Sequence, residues 1–295
     1  MQVNFGDIVG RSFSIAWRHK SLWIFGLFAY SSSSSYNIDF SDLFGPGGAG
    51  GFEFGDTVYK YNDPLVVGVL LWLVFLYLLM FLCGQIAMPA LIDGVNKITR
   101  GGQYRFGESF SRGLDFFLRF LGMSLLLLVS FTILAVILVV PAVITPFSLL
   151  LTIPIGIVIG FFLLHTFGLA EVAMVARDGS IGNALDEGFT LVKHNVGNCI
   201  LMTLILIGLG MIFGIVLMIF ALFTFVPLNF LLMQAIENMV AIMFLGFIIG
   251  LPVSLVLGGF VGTLFNAMYI QFYFNLVDPP QPAAQAASDA PYYGQ

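Results

Sequence analysis

Charge is what this sequence has least of. Only 9% of its 295 residues are Asp, Glu, Lys or Arg, against about 25% in a soluble globular domain. That leaves too little polar surface to cover a core drawn from the 59% that are hydrophobic, so a soluble globular fold is excluded. Cysteine is nearly absent. Cys83 and Cys199 cannot build the disulfide framework of a small secreted domain, and both sit in apolar segments where a thiol behaves as a small hydrophobe. Basic runs are missing and the net charge is −5, which excludes nucleic acid as a partner. There is no HExxH, P-loop, GxSxG or CxxC, and the three histidines are scattered. Hydrolysis or metal chemistry needs convergent groups of that kind, so the sequence predicts no enzyme, cofactor or metal. Asp7, Arg11 and Arg18 near the start, with no small-residue cleavage site, argue against a removable signal peptide.

What is present is long apolar sequence, with a mean hydropathy of +1.00. The stretches 65–92, 118–140, 147–175, 198–226 and 251–277 each supply the about 20 residues that a membrane helix needs. A weaker stretch runs from Ser21 to Ser34, and its strictly apolar part, Leu22 to Tyr30, is short. Region 235–250 can extend the last helix, re-enter the membrane or form a seventh span. The expected fold is an all-α integral membrane protein with about six transmembrane helices. Charge supports the even count: ten of the eleven basic residues fall on one side of a six-span arrangement, and Lys60 stands alone among acidic residues on the other. Basic loops are retained in the cytoplasm. The expectation is a multi-pass plasma-membrane protein with both termini cytoplasmic.

Three polar segments are self-similar. They begin at Phe5-Gly6-Asp7, Phe106-Gly107-Glu108 and Ile181-Gly182-Asn183. From each glycine, Asp7, Arg11, Ser14 and Arg18 match Glu108, Arg112, Asp115 and Arg119, then Asn183, Glu187, Thr190 and His194. These positions make one polar stripe on a helix, with Phe13, Leu114 and Phe189 among the apolar residues on other faces. Each unit reads as an amphipathic interfacial helix followed by two spans. The units cover about 1–100, 101–178 and 179–278 of a single transmembrane domain, and helix 1 is expected to run unbroken into the first span. Asp7 and Glu108 suit the positive end of a helix dipole, while Arg18, Arg119 and His194 suit the negative end. Such helices either sense lipid and dock a partner or serve as scaffold wedges between the membrane pairs.

The opening Phe5-Gly6-Asp7-Ile8 and Trp17-Arg18-His19-Lys20-Ser21-Leu22-Trp23-Ile24-Phe25-Gly26 resembles the start of a group of prokaryotic six-span proteins similar to the membrane domain of glycerophosphoryl diester phosphodiesterases. The likeness extends loosely to Asp278. It implies the six-span fold. The catalytic barrel of those phosphodiesterases has no counterpart in this sequence, so their activity does not carry over.

Between the first two spans, residues 31–64 hold a serine run and Gly45-Pro46-Gly47-Gly48-Ala49-Gly50-Gly51, the composition of a flexible external loop. Residues 279–295 read as a disordered tail. The pairs Gly156/Gly160, Gly210/Gly214, Gly246/Gly250 and Gly258/Gly262 offer close packing, within the bundle or at a homodimer seam. Ionisable groups within spans are the functional candidates: His165, about 18 Å of helix before Arg177, and Glu171. Their six-residue spacing puts them about 120° apart, so they are not a natural pair. They either line a polar path or bond to a neighbouring helix and a basic interface residue. Together the sequence points to a non-enzymatic membrane scaffold or regulatory interaction protein, its partners membrane lipids and a protein or second copy. A small transporter or channel with a polar site near His165 is the alternative.

Overall fold

A computed structural model describes residues 3–33, 51–54, 57–60, 64–233 and 239–277. Eight helices follow in order: α1 Phe5–Arg18, α2 Leu22–Ser33, α3 Pro64–Thr99, α4 Phe106–Ile144, α5 Leu149–Arg177, α6 Ile181–His194, α7 Val196–Met233 and α8 Met239–Val277. Five stretches within α3, α4, α5, α7 and α8 are long and apolar enough to cross a membrane. The protein is an all-α membrane protein. A short antiparallel hairpin, β1 Gly51–Phe54 with β2 Thr57–Lys60, lies within the loop read as structureless. Its alternating aromatic and polar residues have the period of a strand. The serine run from Ser34 onward, most of the glycine run and the tail lie outside the described residues.

The short polar helices form because caps and dipole-matched charges start and stop them. Asn4 Oδ1 accepts from the Asp7 N–H at 3.3 Å, and Ser180 Oγ accepts from the Asn183 N–H at 3.4 Å, each satisfying an orphan donor of the first turn. Lys193 and His194 occupy the last turn of α6. Each polar segment then seats on a long span: α1 on α8, the start of α4 on α3, and α6 on α5. The seating depends on small residues. A Cβ at Gly113 would collide with the Ile86 carbonyl, and one at Gly188 with the Thr166 carbonyl. Ser12, six residues past Gly6 as Gly113 and Gly188 are past theirs, is likewise fully buried. Phe13, Leu114 and Phe189 point outward with 47%, 50% and 51% of their surface exposed. The apolar residues of α1 therefore divide: Ile8 and Ile15 are buried in the protein, whereas Phe13 and Trp17 are exposed on one side and pack edge-to-face with Phe260 on the other.

Helix α2 is short but central, packed between α3 and α8. A Cβ at Gly26 would strike Thr263, and one at Gly259 would lie 2.7 Å from the Trp23 carbonyl. Thr263 Oγ lies 2.7 Å from the Gly259 carbonyl of its own helix and 3.0 Å from the Leu22 carbonyl across this contact, and its one hydrogen serves the two acceptors. The buried core lies along this axis and at the basic end of the bundle, where Ala90, Leu91, Ile92, Leu169, Ala170, Val172, Ala267 and Met268 are fully enclosed.

Several expectations are corrected. Helix 1 does not run unbroken into the first span. It stops at Arg18, a turn closes with Leu22 N–H to His19 O at 2.9 Å, and the Trp23 indole donates to the Ala16 carbonyl at 2.7 Å, taking up a carbonyl the broken helix leaves free. The second polar segment does the opposite, continuing directly into its span as one 39-residue helix. Residues 239–250 extend the last helix; residues 234–238 are outside the described set. Of the expected glycine pairs, Gly156, Gly160, Gly210, Gly214 and Gly258 are not close backbone contacts. A Cβ at Gly156 would meet only the Leu138 side chain, and at Gly214 nothing within 4 Å. The surroundings of Gly246 and Gly250 lie outside the described residues.

Candidate functional site

His165 is buried in α5 and bonded through both ring nitrogens. Nδ1 lies 3.0 Å from Tyr269 Oη of α8, and Nε2 lies 2.7 Å from Thr203 Oγ of α7. Either neutral tautomer satisfies these groups. With hydrogen on Nε2, Thr203 accepts from the ring and donates to the Cys199 carbonyl at 2.9 Å, and Nδ1 accepts from Tyr269 O–H. With hydrogen on Nδ1, Thr203 donates to Nε2, and Tyr269 accepts from Nδ1 and donates to the His165 carbonyl. In both, the contacts tie α5, α7 and α8 together in the membrane interior. Gly168 makes the approach of Tyr269 feasible, because a Cβ there would sit 2.8 Å from the phenol ring. Phe161 packs against the imidazole with ring centroids 4.5 Å apart. Tyr269 Oη has a second acceptor nearby, the His165 carbonyl at 3.3 Å.

Glu171 does not join this network. It is half-buried and makes no hydrogen bond or ion pair among the described residues. The expectation that Glu171 reaches a basic interface residue is therefore corrected: the nearby Arg177 pairs instead with Glu187 at 3.2 Å. Glu187 also accepts from Tyr273 Oη at 2.7 Å, which joins α6 to α8.

The remaining stripe residues lie at the basic end and pair within it. Arg11 bridges to Asp7 at 2.9 Å. Glu108 lies 3.3 Å from Arg105 and 3.8 Å from Lys97. Arg112 and Arg119 flank the Phe116 ring at 4.8 and 4.9 Å, and both reach Asp178, at 3.2 and 2.8 Å. Asp178 takes the left-handed conformation at φ 51° just past α5, which turns its carboxylate toward α4. The Arg119 hydrogen bond, with Arg112 beside it, holds the Asp178 carboxyl below the usual carboxylate range. His194 bonds through Nδ1 to the Thr190 carbonyl at 2.8 Å, suited to the negative helix end. Asn183 contributes its backbone to the Ser180 cap, and Arg18 stands exposed in the last turn of α1.

The structure thus brings His165 together with two residues that sequence reasoning passed over, Thr203 and Tyr269. It also reveals Asp93, which is buried, accepts from Ser109 Oγ at 2.8 Å and pairs with Lys97 at 2.9 Å. A carboxylate eight residues past Gln85 in an otherwise apolar helix was the available signal for it. No family model matches the chain, and no curated protein or solved structure matches it either.

Proposed function

We propose that this protein is a non-enzymatic scaffold of the plasma membrane, a platform for lipids and a protein partner or second copy. The observation that carries the reading is the network at His165, in which both ring nitrogens are hydrogen-bonded to neighbouring helices and three spans are tied. In lipid, helices gain little from burying apolar surface against each other, so such interhelical bonds and small-residue contacts hold a bundle. His165, Thr203 and Tyr269 are thereby accounted for by packing.

The reading includes an internal threefold repeat. Each unit's amphipathic helix rests on the second span of the unit before it, and the first rests on the last, closing a ring. Support comes from the matched burial of Ser12, Gly113 and Gly188 and the equal exposure of Phe13, Leu114 and Phe189. With basic ends retained inside, this ring faces the cytoplasm, where a soluble partner would meet it. The likeness of the first 26 residues to the membrane domain of glycerophosphoryl diester phosphodiesterases is compatible with such a supporting role.

A transporter is the second reading. It is favoured by the spare acceptor beside Tyr269 and by the unpaired Glu171 in the same span, a pair of features a proton path would use. His165→Gln separates the two. Gln keeps a donor and an acceptor but cannot change charge near neutral pH. The scaffold reading expects unfolding stability within about 1 kcal/mol of the parent and no pH-driven flux from either protein in reconstituted vesicles. A proton flux that the parent supports and the Gln variant loses would replace the scaffold by the transporter.

A further inference from the structure

At the basic end, α1 and the C-terminal ends of α3 and α8 enclose a cavity of about 200 Å³. A single water needs only about 10–15 Å³ of such space, so the cavity admits a polyatomic ligand. Arg11 of α1, Asn96 and Arg100 at the end of α3, and Asn275 of α8 line it. Its floor is Phe274, over which the Arg100 guanidinium lies at 5.7 Å.

Most polar groups of the wall are already engaged. Gln271 Nε2 donates to Thr99 Oγ at 2.5 Å, Thr99 donates to the Val95 carbonyl at 2.7 Å, and Asn275 Nδ2 donates to the Gln271 carbonyl at 2.9 Å. Two groups are left over. Arg100 has no ion pair among the described residues. The Asn96 amide has no hydrogen bond, and its Oδ1 is buried without a partner. A buried acceptor of that kind calls for a ligand or ordered water, and the Nδ2 of the same amide, less enclosed and without a bond among the described residues, is the donor left to the cavity. Arg11 shares its charge with Asp7 outside the lining, so the interior keeps a positive balance.

We infer that this cavity binds a phosphate group, with Arg100 as its main anchor, Arg11 as the second cation and the Asn96 amide as a neutral donor. Guanidinium matches phosphate oxygens bidentately. The position fits a phosphate at the membrane surface: Phe13 and Trp17, close after Arg11 on α1, are exposed, as residues at the headgroup boundary are. This inference goes beyond the scaffold reading and does not depend on it, because a transporter could carry the same site.

The test uses the full chain and two probes. In the first, the protein is reconstituted in phosphatidylcholine nanodiscs with or without phosphatidylglycerol, and the lipid retained on extraction is counted by native mass spectrometry. In the second, inorganic phosphate is titrated against the detergent-solubilised protein and followed by phosphorus NMR line width. The site predicts selective retention of the anionic lipid, a response to phosphate, or both. Lipid retention alone identifies a headgroup as the source, and an equal response to free phosphate identifies a soluble phosphate ester. Arg100→Gln should weaken binding about tenfold, Arg100→Lys should weaken it less, and Lys193→Gln, remote from the cavity, should leave it unchanged. Should Arg100→Gln not fold, the Arg100→Lys and Asn96→Ala losses decide. No preference for either probe, or equal binding by parent and Arg100 variants, would overturn the inference.

Discussion

The two ends of the bundle are built differently. From the basic end down to His165 in the interior, the spans touch through small residues and polar links: Gly26 on Thr263, Gly113 on Ile86, Gly188 on Thr166, with Asp93, His165, Gln271 and Tyr273 bonded between helices. Toward the opposite end, Leu71, Trp72, Val136, Ile157 and Met218 are all more than half exposed. Lipid tails solvate Leu and Ile as well as a neighbouring helix does, so large apolar side chains give no reason for helices to meet. Close backbones and interhelical hydrogen bonds do. The basic end is where the structure is specified, and the other end faces lipid.

That contrast is broken most severely by filling a backbone contact. Gly188→Leu forces α6 off α5 and is expected to cost about 3 kcal/mol or more, read as a loss of the folded fraction in detergent denaturation. Gly214→Leu, in open space on α7, should change nothing measurable in the same assay. Equal effects at both positions would erase the distinction between the two ends.

A smaller effect is expected from the intramembrane links. Thr203→Val and Tyr269→Phe each remove one hydrogen bond to His165 while keeping shape, and interhelical bonds in membranes average about 0.6 kcal/mol. Because the two share one imidazole, the double variant should depart from additivity. A strictly additive pair would mean that the ring is not their common link.

Much of this was legible in the sequence and some was not, for physical reasons. The five long spans are visible because about 20 apolar residues have few other uses, and the short helix α2 is visible as the apolar stretch Leu22 to Tyr30. The break at His19–Ser21 is not, because no Gly or Pro marks it and the Trp23 indole that stabilises it acts from beyond the turn. The continuity of α4 through Asp115 and Arg119 is hidden likewise, since those charges read as an interface until Asp178 arrives from another helix. His165 stands out as an ionisable residue in a span. Thr203 and Tyr269 do not, because a hydroxyl or phenol in an apolar run has no periodicity, and only helix packing sets the register that brings them together.

The smallest expected effect sharpens the comparison at the water-facing edge. The Asp178 carboxyl is held low by Arg119 and Arg112, so its contribution is present above the ordinary aspartate value of about 3.9 and fades as pH falls through the lower folded value. Asp178 is exposed, and surface pairs contribute little. Asp178→Asn should therefore slightly lower the melting temperature at neutral pH and leave it unchanged at strongly acidic pH, and salt should shrink the difference.

The account rests most directly on the state of the His165 ring. Nitrogen-15 NMR of the reconstituted protein at neutral pH, with His165 assigned from the His165→Gln spectrum, reads the protonation of each ring nitrogen. The packing network predicts a neutral imidazole, with hydrogen on one ring nitrogen and a lone pair on the other, facing Thr203 and Tyr269. An imidazolium would contradict it.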